Sequence, residues 1–258
     1  MFLSWLYDLD ASILYPIIAV LVASAGEAGN RIGLRHSNTR VDGAYIGTVT
    51  GAALGLLALL LAFSFSMALS RYDLRRTMVL EEANAIGSTA NFALMLPAEA
   101  QPPILRLLRD YTTVRIGLGI PHDPAKLARD LARSADLQVQ LWQDAVTLSN
   151  AAPQSLPVYR FVGSLNEMNN IHERRLSGLR NQVPAEVMGV LIGVSMMAMG
   201  FTGFHGGVAG ARRRIINLIM AATIALLIML VVDLDRPSRG LTVVPVQPLI
   251  EAIRGIPP

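Results

Sequence analysis

The sequence predicts an all-α integral membrane fold: four transmembrane helices, with a helical extramembrane bundle inserted between the second and third. Three observations carry this. Of 258 residues, 52% are hydrophobic and only 16% are charged, against about a quarter charged in a soluble globular domain. Four apolar runs approach or exceed the roughly 20 residues that a bilayer core requires. The long segment between the second and third runs is richly charged, and its apolar residues recur at helical spacing.

The first run, Ala11 to Gly26, is uncharged but short. Phe2, Trp5, Leu6 and Tyr7 extend it into the interface, where Trp5, Tyr7 and Tyr15 serve as belt residues. Asp8 and Asp10 precede it instead of a basic region, so a cleaved signal peptide is not expected. The second run, Ala44 to Leu69, is uncharged throughout. The third extends from about Val187 to Phe204, with Pro184 near its first turn. The fourth, Ile215 to Val232, is bracketed by Arg212, Arg213, Arg214 and Asp233. The chain therefore divides into residues 1–70 with spans one and two, 71–184 as the extramembrane domain, 185–234 with spans three and four, and a Pro-rich tail over 235–258.

The net charge of +3 does not indicate a nucleic-acid partner. The arginines sit beside the apolar runs, where they meet lipid headgroups. The chain has no cysteine, which excludes disulfides and thiolate chemistry. Arg31, Arg35 and Arg40 lie between spans one and two, and Arg212, Arg213 and Arg214 between spans three and four. Positive charge in short loops marks the cytoplasmic side, so both termini and residues 71–184 are expected outside the cytoplasm. Arg71, Arg75 and Arg76, directly after span two, pull the other way.

Residues 71–184 hold 13 Lys or Arg and 11 Asp or Glu, the balance of a water-exposed domain. The helix of span two is expected to continue to Pro97. Val79, Ala83, Ile86, Ala90 and Ala93 make an apolar seam, and Glu81, Asn84, Ser88 and Asn91 a polar stripe on nearly the opposite side. A second helix is expected from Pro102 to Arg115. A third starts at the N-cap Asp123 with Pro124 at the first helical position and uses Leu127, Leu131, Leu137 and Leu141 as contacts. A fourth, from about Ser155 to Gln182, leads into span three.

Span two carries Gly47, Gly51 and Gly55 four residues apart, continued by Ala58, Ala62 and Ser66; span three carries Gly189, Gly193 and Gly200. Such faces let helices pack backbone to backbone in lipid. Two readings fit: packing of spans two and three within the chain, or packing against a neighbouring subunit in a ring. If span two lines a pore, Phe63 or Phe65 makes a constriction that gates by dewetting, with Ser64, Ser66 and Met67 beside it. Arg71, Arg75 and Arg76 then form a basic mouth that favours anions. The alternative is ordinary lipid- or core-facing residues and phosphate-facing arginines.

Catalytic constellations are missing. His36, His122, His172 and His205 lack metal-ligand spacing, and Gly117-Leu118-Gly119 leads into Ile120-Pro121, not a helix N-terminus. No nucleophile elbow or phosphate loop is present. Neighbours in a helix point about 100° apart, so Glu81 and Glu82 read as solvated charge. No enzyme activity, metal or cofactor is expected. No charge falls mid-span, which argues against a proton-coupled transporter.

Phe63-Ser64-Phe65-Ser66-Met67-Ala68 through Arg71-Tyr72-Asp73-Leu74-Arg75-Arg76, then Glu81-Glu82-Ala83-Asn84-Ala85-Ile86-Gly87, form a distinctive set. With Leu165-Asn166-Glu167-Met168 through Arg180-Asn181-Gln182-Val183-Pro184, and Leu234-Asp235-Arg236-Pro237 to Arg239-Gly240, they resemble the bacterial bestrophin-like membrane protein family. The likeness runs from span two to the tail. It implies similarity to bestrophins, pentameric anion channels with four spans and a second-helix pore neck, and a place in the bacterial inner membrane. The bestrophin calcium-binding acidic cluster is not found, and bestrophins hold their large domain in the cytoplasm, opposite to the arginine reading. The family motifs also mark Asn84, Asn166, Asn169 and Asn170. Asn166, Asn170, Glu173 and Ser177 share a helical face, which with the Glu81 stripe would line a polar vestibule; the plain alternative is interhelix hydrogen bonding or solvent. The expected function is a homo-oligomeric, anion-favouring channel with the lipid bilayer, other copies of itself and inorganic ions as partners. A membrane sensor or scaffold whose bundle binds a ligand or protein is the alternative.

Overall fold

The computed structural model describes residues 11–36, 43–118, 124–180, 183–209, 214–236 and 242–257. Phe2, Trp5, Leu6, Tyr7, Asp8, Asp10, Arg40, Asp42, His122, Asp123, Arg212 and Arg213 lie outside the described residues, and with them the expected N-cap and much of the loop charge. Among the described residues there are eight helices and no strand. They are α1 (Ala11–Arg35), α2 (Gly43–Ala93), α3 (Gln101–Gly117), α4 (Pro124–Ala151), α5 (Leu156–Arg180), α6 (Ala185–Val208), α7 (Arg214–Asp235) and α8 (Gln247–Gly255). They form two compact units, Met1–Arg71 with Gln182–Arg236, and Tyr72–Asn181 with Pro237–Pro258.

In the first unit α1, α2, α6 and α7 are each long and apolar enough to cross a membrane. Span one is longer than the sequence suggested. Its helix runs past Gly26 to Arg35, because Glu27 and Arg31 on successive turns form an ion pair of 3.0 Å that lets the helix carry both charges onward.

α1 packs most extensively on α6, and α7 packs on both. The α1–α6 contact is built on glycines that sequence reasoning did not single out as a pair. A Cβ on Gly29 would stand 2.0 Å from the Gly200 carbonyl oxygen, and one on Gly33 2.3 Å from that of Phe204. Reciprocally, a Cβ on Gly203 would stand 1.9 Å from the Gly26 oxygen, and one on Gly207 2.3 Å from that of Asn30. Contact positions rise together along both helices, so α1 and α6 run in the same direction. Such backbone-to-backbone packing is available only where side chains are absent.

The glycines expected to join spans two and three behave differently. Gly47 approaches the His205 ring of α6, its Cβ position 3.2 Å from Cε1, and Thr50 Oγ1 donates to the Phe201 carbonyl at 3.4 Å. Gly51, Gly55 and Gly193 have open space where a side chain would go.

In the second unit the predicted seam Val79, Ala83, Ile86, Ala90 and Ala93 is buried, together with Leu108, Tyr111, Leu137, Leu141, Phe161, Leu165 and Met168. Leu127 and Leu131 are only half-buried, near the start of α4. The tail also supplies structure: α8 packs on α3, Leu249 and Ile256 enter the core, and Arg109 donates to the Ile256 carbonyl at 3.1 Å.

The glycine contact gives a sharp expectation. Gly203→Ala should lower the melting temperature of the detergent-solubilised protein, since overpacking against backbone costs about 1–3 kcal/mol. Gly193→Ala should leave it unchanged. Equal melting temperatures for the two variants would refute the α1–α6 packing.

Candidate functional site

Three places gather the residues that the sequence marked. The first is the membrane-spanning part of α2. Ile46, Thr50, Ala53, Leu57, Ser64 and Ala68 are buried within their unit, at spacings of three, four and seven. That repeat leaves another side open, with Leu56, Leu59, Phe63, Ser66 and Ser70 exposed. Phe63 is 64% exposed and Phe65 37%, but Ser64 only 4%. Residues two apart on a helix stand about 160° from each other, so Phe63 and Phe65 do not share a face, and the Ser64 hydroxyl is turned into the protein. Met67 is exposed, its sulfur 3.8 Å from Arg71 Nη2.

The second place is the end of that span. Arg71 Nη1 stands 3.8 Å from Asp235 Oδ1, and the Val183 backbone N–H donates to Asp235 Oδ2 at 2.7 Å. Asp235 is fully buried. One carboxylate thus joins α2, the segment before α6 and the end of α7, three stretches that the sequence had marked separately. Of the three arginines expected at a pore mouth, Arg76 is exposed, Arg71 is half-buried beside Asp235, and Arg75 is buried.

The third place was missed. Glu82, expected with Glu81 to be solvated, is completely buried, whereas Glu81 is exposed. Glu82 Oε1 accepts from Arg115 Nε at 2.5 Å and from the Tyr111 hydroxyl at 3.2 Å. Its Oε2 accepts from Arg175 Nη1. The Tyr111 oxygen also lies 3.1 Å from His172 Nδ1. Burial alone would raise the Glu82 carboxyl, but Arg115 and Arg175 outweigh it and hold it below its ordinary range. Burial, then the charge of Glu82, pushes the Tyr111 phenol far up. Burial, then Arg115, drives His172 down to about 4.

A signal for this cluster exists in the sequence. Glu82 is three residues after Val79, Arg115 four after Tyr111, and Arg175 four after Ile171, all buried core positions. A charge that keeps an apolar period is a charge on the buried face.

The expected polar vestibule is a set of outward positions. Glu81, Asn84, Ser88 and Asn91 on α2 and Asn166 and Asn170 on α5 are all exposed, as are Glu173 and Ser177. Asn169 is half-buried and accepts from Gln138 Nε2 at 3.1 Å. Among the described residues no group of His, Cys, Asp and Glu could hold a metal ion.

Four apolar spans with a helical bundle between the second and third define an all-α membrane protein. The chain belongs to the Bestrophin-like family: the Bestrophin-like domain matches residues 15–249. A crystal structure of a bacterial bestrophin homologue from Klebsiella pneumoniae has a similar fold, with a TM-score of 0.68 and 16% identity over 95% of this chain and 96% of that one. A point mutant of that homologue gives a TM-score of 0.69 and 15% identity, covering 92% of this chain and 97% of its own. Comparison with curated proteins gives no match.

The cluster makes stability depend on pH. An unfolded chain protonates His172 near the ordinary 6.5, the folded one only near 4. Between those values the unfolded state binds more protons, so stability falls as the pH is lowered from about 6.5 to 4. The lowered Glu82 carboxyl acts with the same sign at more acid pH. Replacing His172 with Gln should flatten the fall of melting temperature in the 6.5 to 4 window; an unaltered slope would contradict this assignment.

Proposed function

We propose that the protein is a homo-oligomeric ion channel, favouring anions, whose pore is lined by α2. The observation that carries this reading is the state of the glycine faces. Those of α1 and α6 are occupied by each other, while Gly51 and Gly55 on α2 have open space around them. A small-residue face in lipid is suited to close packing against another helix, and a second copy of the chain supplies one. Phe63 lies about 80° round the helix from Gly55, so α2 can offer one side to a neighbour and the adjacent side, Leu56, Leu59 and Phe63, to a central path.

Phe63 then forms the neck, an apolar ring that excludes ions by dewetting, with Ser66 offering hydroxyls beside it. Phe65, on the other side of the helix, and Ser64, turned inward, take no part. Anion preference rests on Arg76 and Arg71, the mouth arginines that are not fully buried. The buried-face periodicity of α2, and the family to which the chain belongs, support the reading.

The Phe63→Ala variant should raise basal chloride efflux from protein-loaded liposomes several-fold over the parent, with potassium efflux far smaller. Unchanged efflux would remove Phe63 as the neck. No flux for either protein would favour a sensor or scaffold.

The channel is placed in the bacterial inner membrane, with the short loops cytoplasmic and residues 71–184 outside, on the weight of loop arginines. The natural absence of cysteine makes this simple to test. A Ser149→Cys variant, at an exposed position of α4, should react with a membrane-impermeant maleimide in intact spheroplasts. Labelling only after lysis would put the bundle in the cytoplasm.

A further inference from the structure

Among the described residues, the core of the bundle unit holds more positive than negative charge. Two guanidiniums, Arg115 and Arg175, converge on one carboxylate, Glu82, which is the ion-pair partner of both. Tyr111 and His172 are neutral at physiological pH. Among the described residues one positive charge is therefore left over, on side chains that are almost completely buried. The donors are also in excess. Glu82 receives Arg115 Nε, Arg175 Nη1 and the Tyr111 hydroxyl, yet Arg115 Nη1 and Nη2 have no hydrogen-bond partner among the described residues. Arg115 is completely buried. Ser134, on α4 packed against α3, carries another buried hydroxyl without a partner.

Buried donors are normally satisfied, by protein or by ordered water. A water would meet the hydrogen bonds of Arg115 but leave the charge unbalanced, and an uncompensated buried charge costs far more than an unmade hydrogen bond. We propose that Arg115 Nη1 and Nη2 bind a small monovalent anion of the halide class inside the bundle core. One charge is what the cluster lacks, and the complete burial of Arg115 restricts the occupant to a small ion. The anion completes an alternating array of charge: carboxylate, guanidinium, anion. It is a structural site, distinct from any conduction path, and stands whether or not the protein conducts.

The test uses the full-length protein in detergent, moved from sodium gluconate to sodium chloride at constant ionic strength. The melting temperature should rise saturably, by about 5 °C at a hundredfold excess over the dissociation constant. Bromide should substitute, giving an anomalous difference peak in contact with Arg115 Nη1 and Nη2 in crystals of the parent protein. Arg115→Lys, which keeps the cation but removes the planar fork, should abolish the chloride dependence. If that variant fails to fold, the bromide peak on the parent decides. Equal melting temperatures in chloride and gluconate, density at Arg115 with no anomalous signal, or a chloride effect undiminished in Arg115→Lys would each overturn the proposal.

Discussion

The buried carboxylate of Glu82 is the constraint on which the extramembrane unit depends. It ties α2 to α3 through Arg115 and Tyr111, and to α5 through Arg175. Apolar packing alone holds these helices together without fixing their rotation or register, since Leu, Ile and Ala surfaces slide at modest cost. A carboxylate with two oxygens and three directed donors admits one arrangement. Removing the carboxylate strands two guanidiniums in the core, which is why it is hard to alter singly.

The membrane unit is specified by a different physics. No hydrophobic drive separates one apolar helix from another in lipid. The α1–α6 pair solves this with glycines at Gly26, Gly29 and Gly33 facing Gly200, Gly203 and Gly207, so that main chains touch. While α1 and α6 satisfy each other, Gly51 and Gly55 on α2 keep open space where a side chain would go. The carboxylate of Asp235 closes the same unit from its end, accepting from Val183 and pairing with Arg71. Both units thus contain a buried acid at the point where three chain segments converge.

Much of this was legible in the sequence, and the reasons are specific. The spans announced themselves by length and lack of charge, and the seam from Val79 to Ala93 by its period. Span one was read too short because Glu27 and Arg31 look like a loop when taken singly, and like a helix when taken as a pair four apart. Glu82 was misread because it adjoins the exposed Glu81; only its register with Val79 and Ile86 betrays its burial. The α1 glycines that meet α6 were overlooked because Gly26, Gly29 and Gly33 lie around those two charges and fell partly outside the presumed span. The tail was read as a Pro-rich end, although Leu249 and Ile256 are spaced to dock a helix. Phe63, Ser64 and Phe65 were grouped by proximity in sequence, whereas 100° per residue separates them onto different faces.

The central claim is that Glu82 and Arg175 act as one unit in fixing the bundle, and a double-mutant cycle tests it most directly. Unfolding free energies of Glu82→Gln, Arg175→Gln and the double variant should show a coupling of about 2 kcal/mol or more, the double variant being less damaged than the sum of the singles. Additivity within about 0.5 kcal/mol would mean that the two residues act independently, and that apolar packing alone fixes the bundle.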